Sequence, residues 1–380
     1  MSTSSSTAHL DQDAREALAA ELDALHAEVR ADLGARDAAY IRGVIKAQRQ
    51  LEAAGRALLL GSRWKPALAG GTVALTLSKV IENMELGHNI MHGQWDWMRD
   101  PAVHSTTWEW DAASTARSWK HSHNFQHHTY TNVVGKDRDL GYSAMRVDAD
   151  QPWRPVYLAQ PVYGMLMALT FEWGIALYDM ELDAVKRGEK SKAQARQELR
   201  AFAEKALTQL GKDYALFPAL AGRKGFARAL AANVVANLAR NLWVHTVVFM
   251  GHIPEPAETF TEDQYENETR GDWYVRQVTG SCNLDGSPLF HLMTGNLSFQ
   301  IEHHLFPDVP SSRYSDVAPR VREICGRYGL PYHSGRLGRQ YRSVAKKILR
   351  LSFPGGGPRA VAPAAFTPAR APEVPALALV

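Results

Sequence analysis

Three short clusters of histidines constrain this chain more strongly than any other feature of its sequence. The first contains His88 and His92, the second extends over residues 121–128, and the third is the adjacent pair His303 and His304; together they hold eight of the 15 histidines. Adjacent imidazole rings pack poorly in an apolar core and repel each other when both are protonated. A metal ion that accepts the lone pairs of both rings removes this conflict, so the clusters predict a metal site.

Spacing within the clusters supports the same prediction. His88 and His92 are four residues apart, which places them one turn apart on the same face of a helix. His123 and His127 repeat this spacing, and His128 adds a third ring that is rotated by about 100° around the helix axis. Two histidines four apart arise often by chance, but the repetition across clusters indicates ligands.

The number and type of ligands narrow the choice of metal. The third cluster places Gln300 one turn before His303 and His304. So many histidines exceed the three protein ligands of a catalytic zinc, and no thiolate lies near them to favour an iron–sulfur cluster. Soluble di-iron bundles carry two Glu-x-x-His motifs, whereas this chain shows one, at Glu85 and His88. The residues therefore favour a histidine-rich site for two iron ions.

Composition and hydropathy leave membrane association open. The mean hydropathy of -0.29 and a charged fraction of 22% are typical of a soluble protein, and a net charge of +3 is too small to indicate nucleic-acid binding. The apolar segments at 66–78, 155–171 and 229–251 are short or interrupted, and none is a clean run of the roughly 20 residues that span a bilayer. Cys282 and Cys325 form no CxxC pair, which favours a reducing compartment.

The pattern along the chain predicts three regions. Residues 1–55 form a polar leader and an amphipathic helix, in which Leu18 and Leu22 recur at helical spacing. Residues 56–335 contain the histidine clusters and the apolar segments. Residues 336–380 form a basic and then Ala/Pro-rich C-terminal tail, which we expect to be largely disordered.

At the histidine clusters the sequence resembles the integral-membrane fatty acid desaturases, whose di-iron site is built from three histidine boxes. The string Q-I-E-H-H-L-F-P at residues 300–307 matches the Q-x-x-H-H form of the third box and is highly specific. The resemblance covers roughly residues 55–335. The first box, H-x(3,4)-H, and the second, H-x(2,3)-H-H, are matched by His88, His92, His123, His127 and His128.

The resemblance implies one more ligand at the end of the helix before the third box. His252, in the sequence Gly-His-Ile-Pro, matches an element of the same family branch as the Q-x-x-H-H box and is preferred. His245 with Asn241 matches an alternative pattern. Gln300 is expected to bind directly or through water, and His121 to support a ligand or lie on the surface. The resemblance implies no catalytic residue beyond the metal ligands, which are His88, His92, His123, His127, His128, His252, His303 and His304.

The family also implies a fold class and a location. The expected fold is all-α, a membrane helical bundle with a cytoplasmic helical cap that carries the di-iron site. The expected location is integral to, or tightly associated with, a membrane, and the active site faces the cytoplasm. Topology presents a difficulty, because a hairpin formed by residues 155–178 and 229–251 would place the basic residues 181–227 on the far side. Lys- and Arg-rich loops prefer the cytoplasm.

The implied activity is an O₂-dependent desaturation that introduces a cis double bond into a fatty acyl chain carried by CoA, acyl carrier protein or a membrane lipid. The two electrons are expected from NAD(P)H through a ferredoxin, a rubredoxin or a cytochrome b5 and its reductase, because the chain has no H-P-G-G haem motif. Such donors are commonly acidic. The basic region 181–227 is therefore a candidate docking surface for the donor.

Three alternatives share part of this pattern. A hydroxylase, epoxygenase or carotenoid ketolase has similar boxes but inserts oxygen, and the long match at residues 300–307 favours desaturation over these. A histidine-rich metal transporter would place its histidines along a pore or in a flexible loop instead of in paired boxes. A soluble zinc hydrolase would bind one zinc ion and show no dependence on O₂.

Overall fold

The computed structural model describes residues 7–355 of the chain, and these are almost entirely helical. The all-α part of the predicted fold class is confirmed. Most of the predicted leader and the Ala/Pro-rich segment after residue 355 lie outside the described residues. The α-helices are α1 (Gln12–Ala31), α2 (Ala35–Leu60), α3 (Lys65–Ile81), α4 (Asn89–Met91), α5 (Ala116–Trp119), α6 (His128–Tyr130), α7 (Gln160–Leu169), α8 (Phe171–Asp179), α9 (Leu182–Arg187), α10 (Lys192–Leu210), α11 (Phe217–Leu220), α12 (Gly222–His252), α13 (Glu262–Glu266), α14 (Arg270–Thr279), α15 (Pro288–Met293), α16 (Gln300–Leu305), α17 (Tyr314–Arg327) and α18 (Leu337–Leu351).

Three π-helical segments interrupt this helical pattern. They are Glu82–His88 between α3 and α4, Lys120–His127 between α5 and α6, and Gly211–Leu216 between α10 and α11. A π-helical turn inserts an extra residue and changes the direction of the side chains that follow, and such turns are frequent at functional sites. The first two segments carry the first and second histidine clusters. The spacing of the histidines alone predicts ordinary α-helix at both clusters.

Two short strands complete the secondary structure of the described residues. β1 (Asn283–Asp285) pairs in parallel with β2 (Ser334–Arg336), and Leu284 lies opposite Gly335. Short 3₁₀ turns occupy some of the connections between helices: Asp96–Met98, Pro101–Val103, Leu140–Ser143, Pro155–Ala159 and Ser311–Arg313.

The helices α2, α3 and α12 form the main bundle. Gly55 allows α2 and α3 to approach closely, because a Cβ atom at this position would lie 2.9 Å from the backbone nitrogen of Leu75. Leu59 and Leu75 pack there against Ala232 and Ala236 of α12. Small residues at the contact and leucines around it explain why these helices pack side by side.

Helix α1 belongs to a second layer that covers the end of this bundle. Its predicted apolar stripe is buried, with Leu18 and Leu22 fully enclosed, and it packs against α14, α16 and α17. Its partners include Ile301, which immediately precedes Glu302 in the third cluster. The boundary predicted at residue 55 falls inside α2, which extends from Ala35 to Leu60.

The predicted tail also contains ordered structure. Within residues 336–380, the segment Leu337–Leu351 forms α18, which packs against α7 and α12. Gln340, Val344 and Leu351 are buried at this contact. The basic and then Ala/Pro-rich composition predicted a largely disordered tail, but apolar residues three and four apart give this segment a face that can be buried.

No helix in the range 7–355 combines the length and the apolar character that a bilayer crossing requires.

Candidate metal centre

The structure brings all eight predicted ligands into one buried cluster. In one group, the ligand atoms of four histidines lie within 4.8 Å of one another, and the same limit holds for a second group of three. His128 forms a further group with His303 and His304, so it lies where the two sets meet. The group of four is His88, His92, His123 and His303, and the group of three is His127, His252 and His304.

Each ligand sits at the end of a helical segment or in a short one. His88 ends the first π-helical segment, His127 ends the second, and His128 begins α6. His252 is the last residue of α12, which ends before Pro254 because proline cannot continue a helix. His303 lies in the short helix α16. Helices from distant parts of the chain therefore converge with their ends on one point.

The structure places His252, and not His245, in this cluster. The Nε2 atom of His252 lies 3.0 Å from Nε2 of His304 and 2.9 Å from the side-chain amide of Gln300. Gly251 permits this approach, because a Cβ atom there would lie 2.9 Å from the side chain of Gln300. Among the alternatives that the sequence left open, Gln300 is thus the one that reaches the cluster.

The other three candidate residues lie away from the cluster. His245 stacks on Phe249 with 3.9 Å between ring centroids, and burial lowers the pKa of His245 to about 4. Asn241 donates a hydrogen bond to the carbonyl of Leu169. His121 is exposed and its Nε2 lies 3.4 Å from the Glu181 carboxylate. These contacts occupy the polar groups of Asn241 and His121, and they place His245 in an aromatic environment.

Burial favours the neutral form of seven of the eight clustered imidazoles. Burial is the largest cause that lowers the pKa of these rings well below the ordinary value of a histidine. The seven rings are those of His88, His92, His123, His128, His252, His303 and His304. His127 differs, because burial opposes its protonation but the neighbouring Asp137 carboxylate outweighs burial and raises the pKa of His127. Neutral imidazole is the form that binds metal.

Several of these nitrogens have no hydrogen-bond partner among the described residues. They are buried, and they are His92 Nε2, His123 Nε2 and both ring nitrogens of His128. A buried nitrogen without a partner is costly. In addition, Nε2 of His88 faces Nε2 of His303 at 3.2 Å, a contact that places two potential lone pairs opposite each other. Metal ions among these rings would satisfy the lone pairs, so the residues present fit a metal centre.

Two carboxylates support the second cluster from behind. Asp139 lies 3.0 Å from Nδ1 of His123, and Asp137 lies 3.0 Å from Nδ1 of His127. Asp137 is itself fixed by the backbone N–H groups of Asn132 and Asp139, at 2.8 and 2.9 Å. A carboxylate that accepts from one ring nitrogen leaves the other nitrogen free to bind a metal and fixes the ring orientation. The position of both aspartates just after the second cluster makes them candidates for orienting ligands, but the sequence does not specify which histidine each one contacts.

Neutral side chains support the third cluster in the same way. The hydroxyl of Tyr314 lies 3.3 Å from Nδ1 of His303, and the side-chain oxygen of Gln277 lies 3.2 Å from Nδ1 of His304. Gln277 precedes the third cluster by more than 20 residues and Tyr314 follows it by about ten. No local spacing pattern connects them to the histidines, so the sequence carried no signal for their role.

Glu85 does not join the ligands although it begins a Glu-x-x-His motif with His88. Its carboxylate accepts hydrogen bonds from Tyr40 at 2.9 Å, Ser311 at 2.6 Å and Asn296 at 3.0 Å. Burial raises the pKa of Glu85 to about 7. These partners tie the first cluster to the layer around α16 and explain the motif as a structural contact.

A cavity borders the cluster between the first π-helical segment, α8 and α12. His88 and His123 line it, together with Met84, Phe171 and Val248. Further residues of α12 line it at Val244 and Arg240. The cavity holds about 60 Å³, and its lining extends from His88 and His123 to the buried ion pair of Arg240 with Glu172.

A helical fold with a buried, all-histidine cluster and carboxylate support defines the chain as a metalloprotein of the histidine-box type. The fatty acid desaturase family model matches residues 62–336. The NADPH-dependent stearoyl-CoA 9-desaturase of Mycobacterium tuberculosis (strain ATCC 25618 / H37Rv) is 47% identical over 350 residues, which are 91% of this chain and 82% of the relative. The sn-1 linoleoyl-lipid 6-desaturase of Synechocystis sp. is 24% identical over 69% of this chain and 74% of that protein.

The chain therefore belongs to the fatty acid desaturase family, and it is an oxidoreductase that acts as an acyl desaturase. Its histidine clusters, in a member of this family, indicate iron and O₂ as cofactor and co-substrate. The prediction of the family from the three boxes is confirmed.

Proposed function

We propose that the chain holds two iron ions with the eight clustered histidines and introduces a cis double bond into a fatty acyl chain carried by CoA. The observation that carries this proposal is the buried set of imidazoles, several with unpartnered nitrogens, which divides into two groups around His128. When bound, the irons would supply the O₂ chemistry that removes two hydrogens from an unactivated acyl chain. Gln300 is a further candidate ligand, at 2.9 Å from His252.

The chain itself positions the reacting groups and excludes water. Asp137 and Asp139 hold His127 and His123 in fixed orientations. Met84, Phe171 and Val248 form an apolar wall beside the histidines, which is suited to contact with part of an acyl chain. Fixing a flexible chain against the metal site contributes through orientation, because the reacting carbons must lie within a few ångströms of the oxidant.

The similarity to a stearoyl-CoA 9-desaturase supports the choice of a CoA thioester as substrate, and the word NADPH in the name of that relative supports NADPH as the electron source. A separate protein that carries the electrons is part of this proposal; ferredoxin, rubredoxin and cytochrome b5 remain the candidate types. The hydroxylase, epoxygenase and ketolase alternatives are distinguished by their oxygenated products.

We also propose that the protein associates tightly with a membrane and that its metal centre faces the cytoplasm. Large apolar side chains on neighbouring helices support the membrane contact, since Val162 and Leu166 on α7 and Val235 on α12 are 66, 58 and 52% exposed. Exposed apolar patches of this kind mark contact with another protein or with lipid.

Expression of the chain with candidate electron donors, followed by mass spectrometry of the cellular fatty acids, tests the proposed reaction. We expect a new unsaturated acyl chain with the unaltered protein and with His245→Ala, and none with His303→Ala. A hydroxylated product would show that the enzyme inserts oxygen instead of forming a double bond. No altered lipid from the unaltered chain, together with zinc in the purified protein, would contradict the proposal.

A further inference from the structure

The C-terminal helix α18 has an unusual charge composition. Between residues 331 and 353 the chain contains no Asp or Glu, whereas it contains six cationic side chains: Arg336, Arg339, Arg342, Lys346, Lys347 and Arg350. The cations therefore cannot be neutralised by acidic residues on the same helix. Any acidic residue that neutralises these cations has to lie on another element.

The side chains of α18 fall into three sectors around the helix. Gln340, Val344 and Lys347 are buried against the rest of the protein. Arg339, Arg342 and Lys346 are exposed and follow one another at spacings of three and four, so they share one face. A third sector holds Tyr341, Ala345 and Leu349, each four residues apart, and it lies about 90° from the basic face.

The exposed cations of this helix lack ion-pair partners. Within residues 7–355, none of Arg339, Arg342 and Lys346 forms an ion pair. Arg350 does pair, at 2.7 Å, with Glu255 in the segment after α12. The basic face therefore presents three unneutralised positive charges to the surroundings.

The exposed apolar sector continues onto other helices. Tyr341 is 47% exposed and Leu349 is 56% exposed. Tyr341 and Ala345 border a cavity of about 160 Å³ between α18, α7 and α12, whose other walls include Met165 and Leu242. Met165 and Leu242 are themselves 48 and 40% exposed. An apolar surface thus extends from α18 across its two neighbours, beside the row of cations.

We propose that α18 is a surface-lying amphipathic helix that binds anionic phospholipid, with its apolar sector in the acyl-chain boundary and Arg339, Arg342 and Lys346 on the headgroups. Anionic lipid complements both features. Each basic side chain near an anionic membrane surface favours binding through charge attraction, and each apolar side chain that is buried in the membrane favours it through the hydrophobic effect. An acidic partner protein complements the cations but leaves the apolar sector and the cavity beside it unfilled. The inference rests on the proposed membrane association and goes beyond it by naming the lipid class and the contacting helix.

A fluorescent reporter on the apolar sector tests the contact in the full chain. Ala345→Cys provides a labelling site for an environment-sensitive dye, because Cys282 and Cys325 are fully buried. Ala193→Cys, at an exposed alanine of α10, is the matched control. The proteins are reconstituted into phosphatidylcholine vesicles with or without phosphatidylglycerol, and flotation and desaturation are measured on the same preparation.

We expect a blue shift of the dye at residue 345 that is larger with phosphatidylglycerol, and a solvent-like spectrum at residue 193. The variant Arg339→Gln/Arg342→Gln/Lys346→Gln should lose the dependence on phosphatidylglycerol. The variant Lys186→Gln/Lys192→Gln/Arg196→Gln, which removes the same charge from exposed positions on α9 and α10, should retain it.

Three outcomes would overturn the proposal. They are a solvent-like dye at residue 345 in floated vesicles, an equal shift in both lipid compositions, and a shift caused by an acidic electron-donor protein but not by vesicles. The desaturation assay separates this result from the fate of the proposed reaction, because active protein with an unshifted dye contradicts only the lipid contact. Protein that floats and shows the shift but forms no unsaturated product contradicts only the reaction.

Discussion

Two buried clusters of ionisable side chains lie along α12, and they are satisfied in opposite ways. Near the middle of the helix, Asp213 accepts from Arg56 at 2.8 Å and from Lys79 at 2.7 Å, and Arg240 pairs with Glu172. Although burial alone would raise it, Lys79 and Arg56 lower the pKa of Asp213 to about 2. Opposite charges satisfy one another there.

At the end of α12 the histidine cluster contains only like groups. Imidazoles face imidazoles, burial keeps all but His127 neutral, and several nitrogens have no partner among the described residues. The comparison teaches that burial of polar groups does not by itself mark a functional site. The ion-pair cluster is complete as a protein structure, whereas the histidine cluster becomes complete only with a ligand that accepts nitrogen lone pairs.

The largest difference in activity and iron content is expected between substitutions of His252 and His245, two histidines of α12 that are seven residues apart. His252→Ala removes a residue of the cluster, and we expect desaturation to fall to background with loss of bound iron. His245→Ala removes a ring that stacks on Phe249 outside the cluster, and we expect bound iron to be retained. Iron analysis of both purified variants, with fatty acid profiling, checks this contrast. Equal iron loss in the two variants would remove the distinction between the cluster and the rest of α12.

The next effect concerns stability in the ion-pair cluster. Asp213→Ala leaves the cations of Arg56 and Lys79 buried without their carboxylate partner, and we expect a loss of about 3–5 kcal/mol in the free energy of unfolding. Thermal or chemical unfolding measures it. The triple variant Arg56→Met/Lys79→Met/Asp213→Leu is the control, because removal of all three charges should destabilise much less. A full-size loss in the triple variant would show that packing, and not charge, decides the result.

A smaller effect is expected from the carboxylates behind the histidines. Asp137→Asn keeps the size of the side chain but weakens the acceptor at Nδ1 of His127, 3.0 Å away. Such changes typically reduce metal affinity or activity by about 10- to 100-fold. Titration of the metal-free protein with Fe²⁺, alongside turnover, measures both quantities. Unchanged iron affinity would mean that Asp137 has no influence on the ligands.

The smallest effect is expected at the surface. Arg187, the last residue of α9, pairs with Asp183 and with Glu189 just after the helix, and solvent screens the charges of these three exposed side chains. Arg187→Gln should therefore leave the melting temperature and the iron content unchanged within error. A clear drop in the melting temperature would show that this exposed pair behaves like the buried pair of Lys79 and Asp213.

Ion pairs also reduce the positive charge of the candidate donor-docking surface. Within residues 181–227, Lys190 is nearly buried and pairs with Glu198, and Arg200 pairs with Glu204. Glu198 and Glu204 of α10 thus reduce the positive charge that the composition suggested. The docking of an acidic donor at this region stays a prediction, and it depends on the exposed Lys186, Lys192 and Arg196.

The sequence predicted the family and the residues of the cluster because ligand spacing is local. His88 with His92, and His303 with His304, are recognisable from their neighbours alone. The choice of His252 over His245 came from motif context, and the structure adds the contact to His304. Features that depend on distant parts of the chain were missed, such as the support of His304 by Gln277 and the buried contact of α18.

Metal analysis of the purified, active full chain tests the central claim most directly. The account predicts two iron ions per chain, and it predicts that desaturation is lost when they are removed by a chelator and regained when Fe²⁺ is restored under reducing conditions. A chain that desaturates acyl substrate with one metal ion, or that carries zinc in place of iron, would contradict it.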